Sequence, residues 1–374
     1  MHKKILFLTG TRADFGKLKS LIEATLANEG FETFIFATGM HMQKKYGYTV
    51  DEIVKCGYQN IYKYINHTSE SSMDQTLAKT IEGFSNYVHE LSPDLIVIHG
   101  DRVEALAGAI VGSLNNILVA HVEGGEVSGT IDELIRHAVS KLSHLHFVSN
   151  EPAKKRLTQM GEIENNIFVI GSPDVDVMLS NKLPDISKVK ERYEIPFDDF
   201  AVVMFHPVTT EVEQMPRYAK QFVDAILETS NNYIVIFPNN DLGSSSILFE
   251  YERLKNRPNI RIFPSVRFEY FLVLLKYSQF IIGNSSAGIR EAPYYGLPTI
   301  NVGTRQQNRS ISRDIINCNY ETEEIVNSIK IALNSKFQKI NLFGKGNSDM
   351  LFIESIKQDG FWEISKQKIF KDIQ

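Results

Sequence analysis

The chain has 374 residues, 43% hydrophobic and 23% charged, with a net charge of -5; one core rarely serves such a length, so two domains are expected in an ordinary soluble, folded protein. A balance this mildly acidic, with no basic run, argues against a nucleic-acid surface while leaving room for a small anionic ligand. Cys56 and Cys318 stand far apart without metal-ligand spacing, which points to reduced thiols in a cytoplasm. The run Ile5–Leu8 is too short for a signal peptide, and no stretch is long and apolar enough to span a bilayer.

In chain order, Lys4–Leu8 reads as a buried strand, Thr9–Asp14 as a loop, and the amphipathic stretch from Phe15 towards Ala27 as a helix. The spacing of Gly10 and Gly16, with Leu18 where Ser or Thr is required, fails the Walker pattern, and the dinucleotide glycine fingerprint fails too. Arg12 remains: a guanidinium at a helix entrance clamps a diphosphate bidentately, or else makes a surface salt bridge. Phe34–Ala37 is a second strand, ending in Thr38-Gly39-Met40-His41-Met42. Asp94–His99 ends in Gly100-Asp101-Arg102, and Asn116–Glu123 again places a polar cluster at the carboxyl end of an apolar strand. The helical stretches LAKTIEGFSNYVHEL and VEALAGAIVGSL alternate with these strands, which implies a doubly wound parallel sheet with ligands at the strand ends. Asp101, Glu123 and Asp132 are candidates for proton transfer, since carboxylates crowded in a cleft have their pKa values pushed apart; each has the alternative of a solvated loop acid or a cap, and Glu126 is a rival. His144 and His146 flank Leu145 without a third ligand pattern, so a strand with alternating faces is favoured over a metal site. His137 lies on a helix beside Arg136, either supporting the acidic loop or facing solvent.

The join between domains is expected between Gly171-Ser172-Pro173 and Glu194-Ile195-Pro196, and the grammar then repeats in Ala201–Phe205, Tyr233–Phe237, Ile260–Phe263, Phe280–Ile282 and Thr299–Val302. Two such sheets imply a cleft. His206, after the first of these strands, is a core imidazole or a cleft residue. In Ile282–Arg309, Gly283 breaks a strand and Asn284-Ser285-Ser286 forms a polar turn before a helix, gathering hydroxyls and first-turn amides suited to an anion. Glu291, about a turn and a half further on, is placed to accept hydrogen bonds from sugar hydroxyls. From about Met350, Leu351, Phe352, Ile353, Ile356, Phe361 and Trp362 suggest a helix packed across a domain surface.

The strings GNSS, Ile289-Arg290-Glu291, Gly296-Leu297-Pro298 and Gly303-Thr304-Arg305-Gln306, together with TGTRADFGK, TGMHM, IHGDR, HVEGGEVSGTID and FHPVTTE in one order, resemble the hydrolysing UDP-N-acetylglucosamine 2-epimerases over nearly the whole chain, in particular the bacterial sialic-acid-pathway members. The resemblance implies an α/β protein of two Rossmann-like, GT-B-like domains with an interdomain cleft. Residues 1–172 form the first, with a terminal helix over about 352–374 packing back on it, and residues 190–350 form the second. It implies Asp101, Glu123, Asp132 and His206 as catalytic residues, and Arg12, Lys17, His41, Arg102, Asn239, Val266 (near the uracil), Ser285, Ser286, Glu291 and Arg305 as the substrate and UDP contacts. No cofactor and no metal are implied; the partners are a nucleotide sugar on UDP or GDP and a second copy in a homodimer. The implied reaction expels UDP to leave a 2-acetamidoglucal and rehydrates it to N-acetylmannosamine, for nonulosonic (sialic) acid synthesis. Relatives acting on N,N'-diacetylbacillosamine, for legionaminic acid, share these motifs, and a glycosyltransferase on the same frame is the remoter alternative.

Overall fold

The computed structural model describes residues 2–67, 72–128, 131–306 and 315–372. The chain forms two compact units, the first made of Met1–Glu126, Asp132–Asn181 and Leu342–Gln374, the second of Val127–Ile131 and Lys182–Asn341. In the first, β1 (Lys3–Thr9), β2 (Phe31–Ala37), β3 (Ile61–Lys63), β4 (Leu95–His99), β5 (Leu118–Val122), β6 (Leu145–Val148) and β7 (Ile167–Val169) pair in parallel in the order β3-β2-β1-β4-β5-β6-β7. Strands covered on both faces read as continuous apolar runs, and Ile5, Leu6 and Phe7 on β1 and Leu95–Ile98 on β4 are all fully buried. The helix Arg12–Leu26 starts on a capping box: the Thr11 hydroxyl accepts from the Asp14 amide (3.1 Å), and the Asp14 carboxylate accepts from the Thr11 amide (3.1 Å). Its apolar face, Phe15, Leu18, Leu21 and Ile22, joins the core beside the sheet. The strand order reverses between β1 and β4, so the loops after these two strands part and leave a crevice at the carboxyl edge.

The second unit repeats the plan with β8 (Ala201–Met204), β9 (Tyr233–Ile236), β10 (Ile260–Phe263), β11 (Ile281–Gly283), β12 (Thr299–Val302) and β13 (Ile315–Cys318), all parallel, in the order β10-β9-β8-β11-β12-β13. Its core gathers Val203, Val235, Ile282 and Ile300 around Phe205 and Phe222, whose rings stack 4.4 Å apart. No helix among the described residues is long and apolar enough to cross a membrane.

The terminal segment differs from expectation. The helix occupies Ser348–Ile356 rather than 352–374, and beyond it only the 3-10 turn Phe361–Glu363 is regular among the described residues. The cause is local: the Trp362 indole donates to the Ile356 carbonyl (2.9 Å), closing the helix end, and Gly360 takes a left-handed φ of 82° that turns the chain. Phe352, Ile353, Ile356 and Phe361 enter the first unit's core, with the Phe352 ring 4.7 Å from Phe147. The chain returns to that unit at Leu342, ahead of the residue 350 expected, because the Ser172 amide donates to the Phe343 carbonyl (2.6 Å) and Gly344 lies against Gly171, where a Cβ would clash.

Candidate functional site

In the first unit the acids stand at the carboxyl ends of β4 and β5. Glu123 follows β5 in the left-handed region (φ 63°), a conformation costing a non-glycine residue about 1–3 kcal/mol that persists only where neighbours hold it. Here they do. Its amide donates to the Phe147 carbonyl (2.9 Å), extending the ladder to β6, and its carbonyl accepts from Arg136 Nη1 (2.5 Å). The carboxylate is 3% exposed; it accepts from the Ser172 hydroxyl, stands 3.1 Å from His99 Nε2 and lies 3.8 Å from Lys17 Nζ, which also pairs with Asp174 at 3.2 Å. The other end of the buried Arg136 guanidinium binds the Asp101 carboxylate. One planar fork thus ties the loop after β4 to the loop after β5. Asp132 opens the helix Ile131–Leu142 that carries Arg136 one turn later; Gly129 and Thr130, before it, lie outside the described residues.

Beneath this loop pair lies His121, fully buried on β5. Its Nε2 bonds the Gly100 carbonyl (2.8 Å), which only accepts, so the proton is on Nε2 and Nδ1 accepts from the Ser140 hydroxyl (3.1 Å). Burial pushes this imidazole down to about 3, aided by the neighbouring charge of His146. His121, Ser172, His99 and Asp174 are residues of this candidate site that no sequence motif singles out, although a histidine inside the apolar run of β5 is a visible signal. Glu126, the rival acid, instead accepts from the Ser149 hydroxyl, and His137 is a helix-surface residue 3.2 Å from Glu133. His144 accepts from the Val119 amide (3.1 Å) and His146 binds Glu162 (3.0 Å), so both serve the core around β6.

Of the first-unit residues expected to meet substrate, Lys17 and His41 are buried and Arg12 and Arg102 partly so. Arg12 pairs with Glu52. His41 is fully buried between the Thr9 hydroxyl (Nε2, 3.0 Å) and the Thr49 hydroxyl (Nδ1, 2.7 Å); burial first, and the Arg12 charge second, push it down to about 3, so it is neutral. Lys17 is buried as the counter-ion of Glu123 and Asp174 rather than presented outward. Arg102 stands 3.4 Å from Glu104, a buried acid absent from the motif reading, whose side chain fills the space where a Cβ on Gly10 or Gly39 would sit (2.8 and 2.7 Å).

In the second unit, β8 and β11 run side by side, and the turn after each is locked to the other. The Asn284 side chain accepts from the His206 amide (2.7 Å) and donates to the His206 carbonyl (2.9 Å). The Asn239 amide donates to His206 Nδ1 (3.0 Å); a backbone N–H can only donate, so the neutral ring carries its proton on Nε2. The Asn284 carbonyl accepts from Arg305 Nη1 (3.2 Å) and Gln306 Nε2 (2.8 Å), bringing in the loop after β12. Glu211, at the end of FHPVTTE, binds that loop as well, accepting from the Thr304 hydroxyl (2.6 Å) and the Tyr320 hydroxyl (2.9 Å). Ser285 and Ser286 are half-buried on the turn, and the Ser285 hydroxyl accepts from the Ala287 amide (3.3 Å). Val266 and Glu291 are buried. Gln307, Asn308 and Arg309, the end of the Ile282–Arg309 string, lie outside the described residues.

The helix expected after the Asn284-Ser285-Ser286 turn is broken. The helix after Ser286 is two four-residue turns, Ala287–Arg290 and Ala292–Tyr295, interrupted at Glu291. Pro293 causes the break: it has no amide to donate, and its ring conflicts with the carbonyl four residues earlier. A single turn sums few peptide dipoles, so what this turn gathers is the Ser285 and Ser286 hydroxyls, with Arg305 bonded to the Asn284 carbonyl, rather than a long helix dipole.

The chain's likeness to known proteins agrees with this architecture. A family model described as UDP-N-acetylglucosamine 2-epimerase matches residues 23–357. The UDP-N-acetylglucosamine 2-epimerase of Neisseria meningitidis serogroup B is 49% identical over 375 residues, covering 99% of each chain. A UDP-N,N'-diacetylbacillosamine 2-epimerase (hydrolyzing) of Legionella pneumophila is 35% identical over 355 residues, covering 93% of this chain and 94% of its own. Among solved structures, the Methanocaldococcus jannaschii UDP-GlcNAc 2-epimerase in complex with UDP-GlcNAc and UDP superposes with a TM-score of 0.81 at 25% identity, covering 94% of this chain and 98% of that one. With two parallel sheets of this order, strand-end acids in one unit and the GNSS turn in the other, the chain belongs to the UDP-N-acetylglucosamine 2-epimerase family.

Proposed function

We propose that the protein is a hydrolysing 2-epimerase that converts UDP-N-acetylglucosamine and water to N-acetylmannosamine and UDP, supplying nonulosonic acid synthesis. The observation that carries this reading is the pair of strand-end acids, the Asp101 carboxylate bound by Arg136 and the Glu123 carboxylate held by Ser172 and Lys17, on loops that Arg136 ties together, because inverting C2 needs a base and an acid in fixed places. One carboxylate takes the C2 proton while the C1–O bond breaks and its electron pair leaves with UDP, giving the C1–C2 double bond of a 2-acetamidoglucal. Water then adds its hydroxyl to C1 as a proton returns to C2 on the opposite face. Asp132, at the head of the Arg136 helix, is the third member of this proton-transfer set. His206, with its proton on Nε2, donates to the departing diphosphate. Arg12, Arg102, Ser285, Ser286 and Arg305 balance the diphosphate charge, Glu291 and Asn239 serve the ribose side, and Val266 lies near the uracil. Lys17 and His41 act from beneath, through Glu123 and through the Thr9 loop. The 49% identical relative, named for UDP-N-acetylglucosamine, supports this sugar. The 35% identical hydrolysing relative favours a second reading, the UDP-linked diacetylbacillosamine sugar, by the same chemistry.

Incubation with each nucleotide sugar in D₂O, with no acceptor, tests the reading. Free N-acetylmannosamine carrying deuterium at C2, with stoichiometric UDP, is expected from UDP-N-acetylglucosamine. Accumulation of UDP-N-acetylmannosamine without UDP release overturns the hydrolysing reaction, and faster turnover of the diacetamido sugar transfers the assignment to the second reading.

A further inference from the structure

We propose that Asn284 is a positioning residue for His206, so that the imidazole and the serine turn beside it work as one rigid piece; this rests on the reading that His206 serves the leaving diphosphate. The backbone explains why a side chain is needed here. β8 and β11 pair up to Met204 and Gly283, and the Asn284 amide makes one more ladder bond to the Met204 carbonyl (3.1 Å). At Gly283 the chain turns through φ 137°, a conformation open to glycine, and the next main-chain bonds of β8 lose their partner strand. The Asn284 side chain replaces that strand: its amide oxygen and nitrogen take the amide and carbonyl of His206 as a neighbouring peptide would. His206 precedes Pro207, which holds it extended but offers no amide of its own to secure the loop.

Asparagine suits the place through its chemistry and reach. Aspartate accepts but cannot donate to the His206 carbonyl, serine is too short to do both, and glutamine is a methylene longer at a site where the residue is 1% exposed. Because the main-chain carbonyl of the same residue collects Arg305 and Gln306, and the following two residues are Ser285 and Ser286, a shift at Asn284 moves the imidazole relative to the groups that would hold the phosphates. The Asn239 amide on Nδ1 sets which nitrogen carries the proton; Asn284 sets where that nitrogen points.

The test is a double-mutant cycle on the full chain. Asn284→Ala should lower kcat about 100-fold, the scale of a misplacement near 1 Å, with the KM for UDP-N-acetylglucosamine and the calorimetric Kd for UDP changed less than about threefold. In a His206→Asn background the same substitution should change kcat by less than about threefold, since residues acting through one another are not additive. Equal losses in the two backgrounds, or a loss residing in the UDP Kd, overturn the proposal. Asn284→Asp keeps the volume and should reproduce the kcat loss if the alanine variant folds poorly; parent-level turnover from it overturns the proposal. Long-range ¹⁵N spectra of the His206 ring give a readout free of activity: Nδ1 should be unprotonated in the parent, whereas in a folded Asn284 variant the ring is no longer held against the Asn239 amide and should become exchange-averaged, and an unchanged ring spectrum overturns the proposal. If the parent does not turn over this sugar the functional reading fails, while the ring spectra still decide the role of Asn284.

Discussion

At the scale of single residues, the site depends on buried charges held by partners from distant loops. Arg136 is the example: its guanidinium is 3% exposed and joins an acid from one loop to a carbonyl from another. Arg136→Lys keeps the charge but cannot span both acceptors, so we expect a loss of about 1.5–3 kcal/mol in urea unfolding. Turnover should fall with it, and an unchanged urea midpoint would show the bridge to be dispensable. Asp101→Asn, Glu123→Gln and Asp132→Asn should each fold with parent-like circular dichroism and lose at least about 100-fold in turnover, the size of a lost proton-transfer group. Near-parental turnover in any of the three removes that residue from the mechanism. Glu291→Gln should weaken UDP binding by about 1–3 kcal/mol, because a charged acceptor becomes a neutral one. An unchanged calorimetric Kd places Glu291, buried as it is, in the frame of the turn and away from the nucleotide.

At the scale of elements, the turn after β11 is the most constrained piece of the second unit. A Cβ on Gly283 would lie 1.9 Å from the Met204 carbonyl oxygen, at a φ that other residues rarely adopt. Gly283→Ala should therefore cost about 3 kcal/mol or more through strain and displacement of β8. Chemical unfolding would report it as an early transition, and a midpoint equal to the parent's would mean that β8 yields easily. The same stretch shows where pattern reading reached its limit. The polar turn was legible as Gly-Asn-Ser-Ser after an apolar run, but the following residues carry helical spacing and one proline, and Pro293 divides what the spacing joins. β3, β7 and β13 escaped for a different reason: each is an edge strand, largely half-buried or exposed, and it is pairing with the neighbouring strand that makes it one.

At the scale of the whole molecule, the histidines are unequally shared. Of the ten in the chain, His206 alone belongs to the second unit, whereas in the first His41 and His121 are pushed down to about 3 by burial, and His144 and His146 are lowered too. The folded first unit keeps these rings neutral while its unfolded chain protonates them near 6.5, so the unfolded state binds more protons and stability falls as pH drops from about 6.5 towards 3. Glu162, held down to about 2 by His146, Lys141 and Lys368 despite the opposing pull of burial, adds stability that is present above its usual range and lost as pH falls towards 2. Calorimetry between pH 7 and pH 5 should show one transition moving to lower temperature and another, from the second unit, moving little. Two transitions shifting in parallel would refute this division.

What the sequence by itself determined was the alternation of buried strands and amphipathic helices, the two-sheet plan and the polar clusters at strand ends, because these follow from local period and composition. It also carried Asp101, Glu123, His206 and the Asn284-Ser285-Ser286 turn as candidates, since each stands within two residues of the end of an apolar run. Tertiary structure alone decided what those residues touch. Lys17 became a buried counter-ion, His41 a neutral residue wedged between two threonines, and Ser172 a partner of Glu123 from 49 positions away. Such pairings leave no period in the chain; they arise when burial removes water from a charge and requires another side chain to take its place.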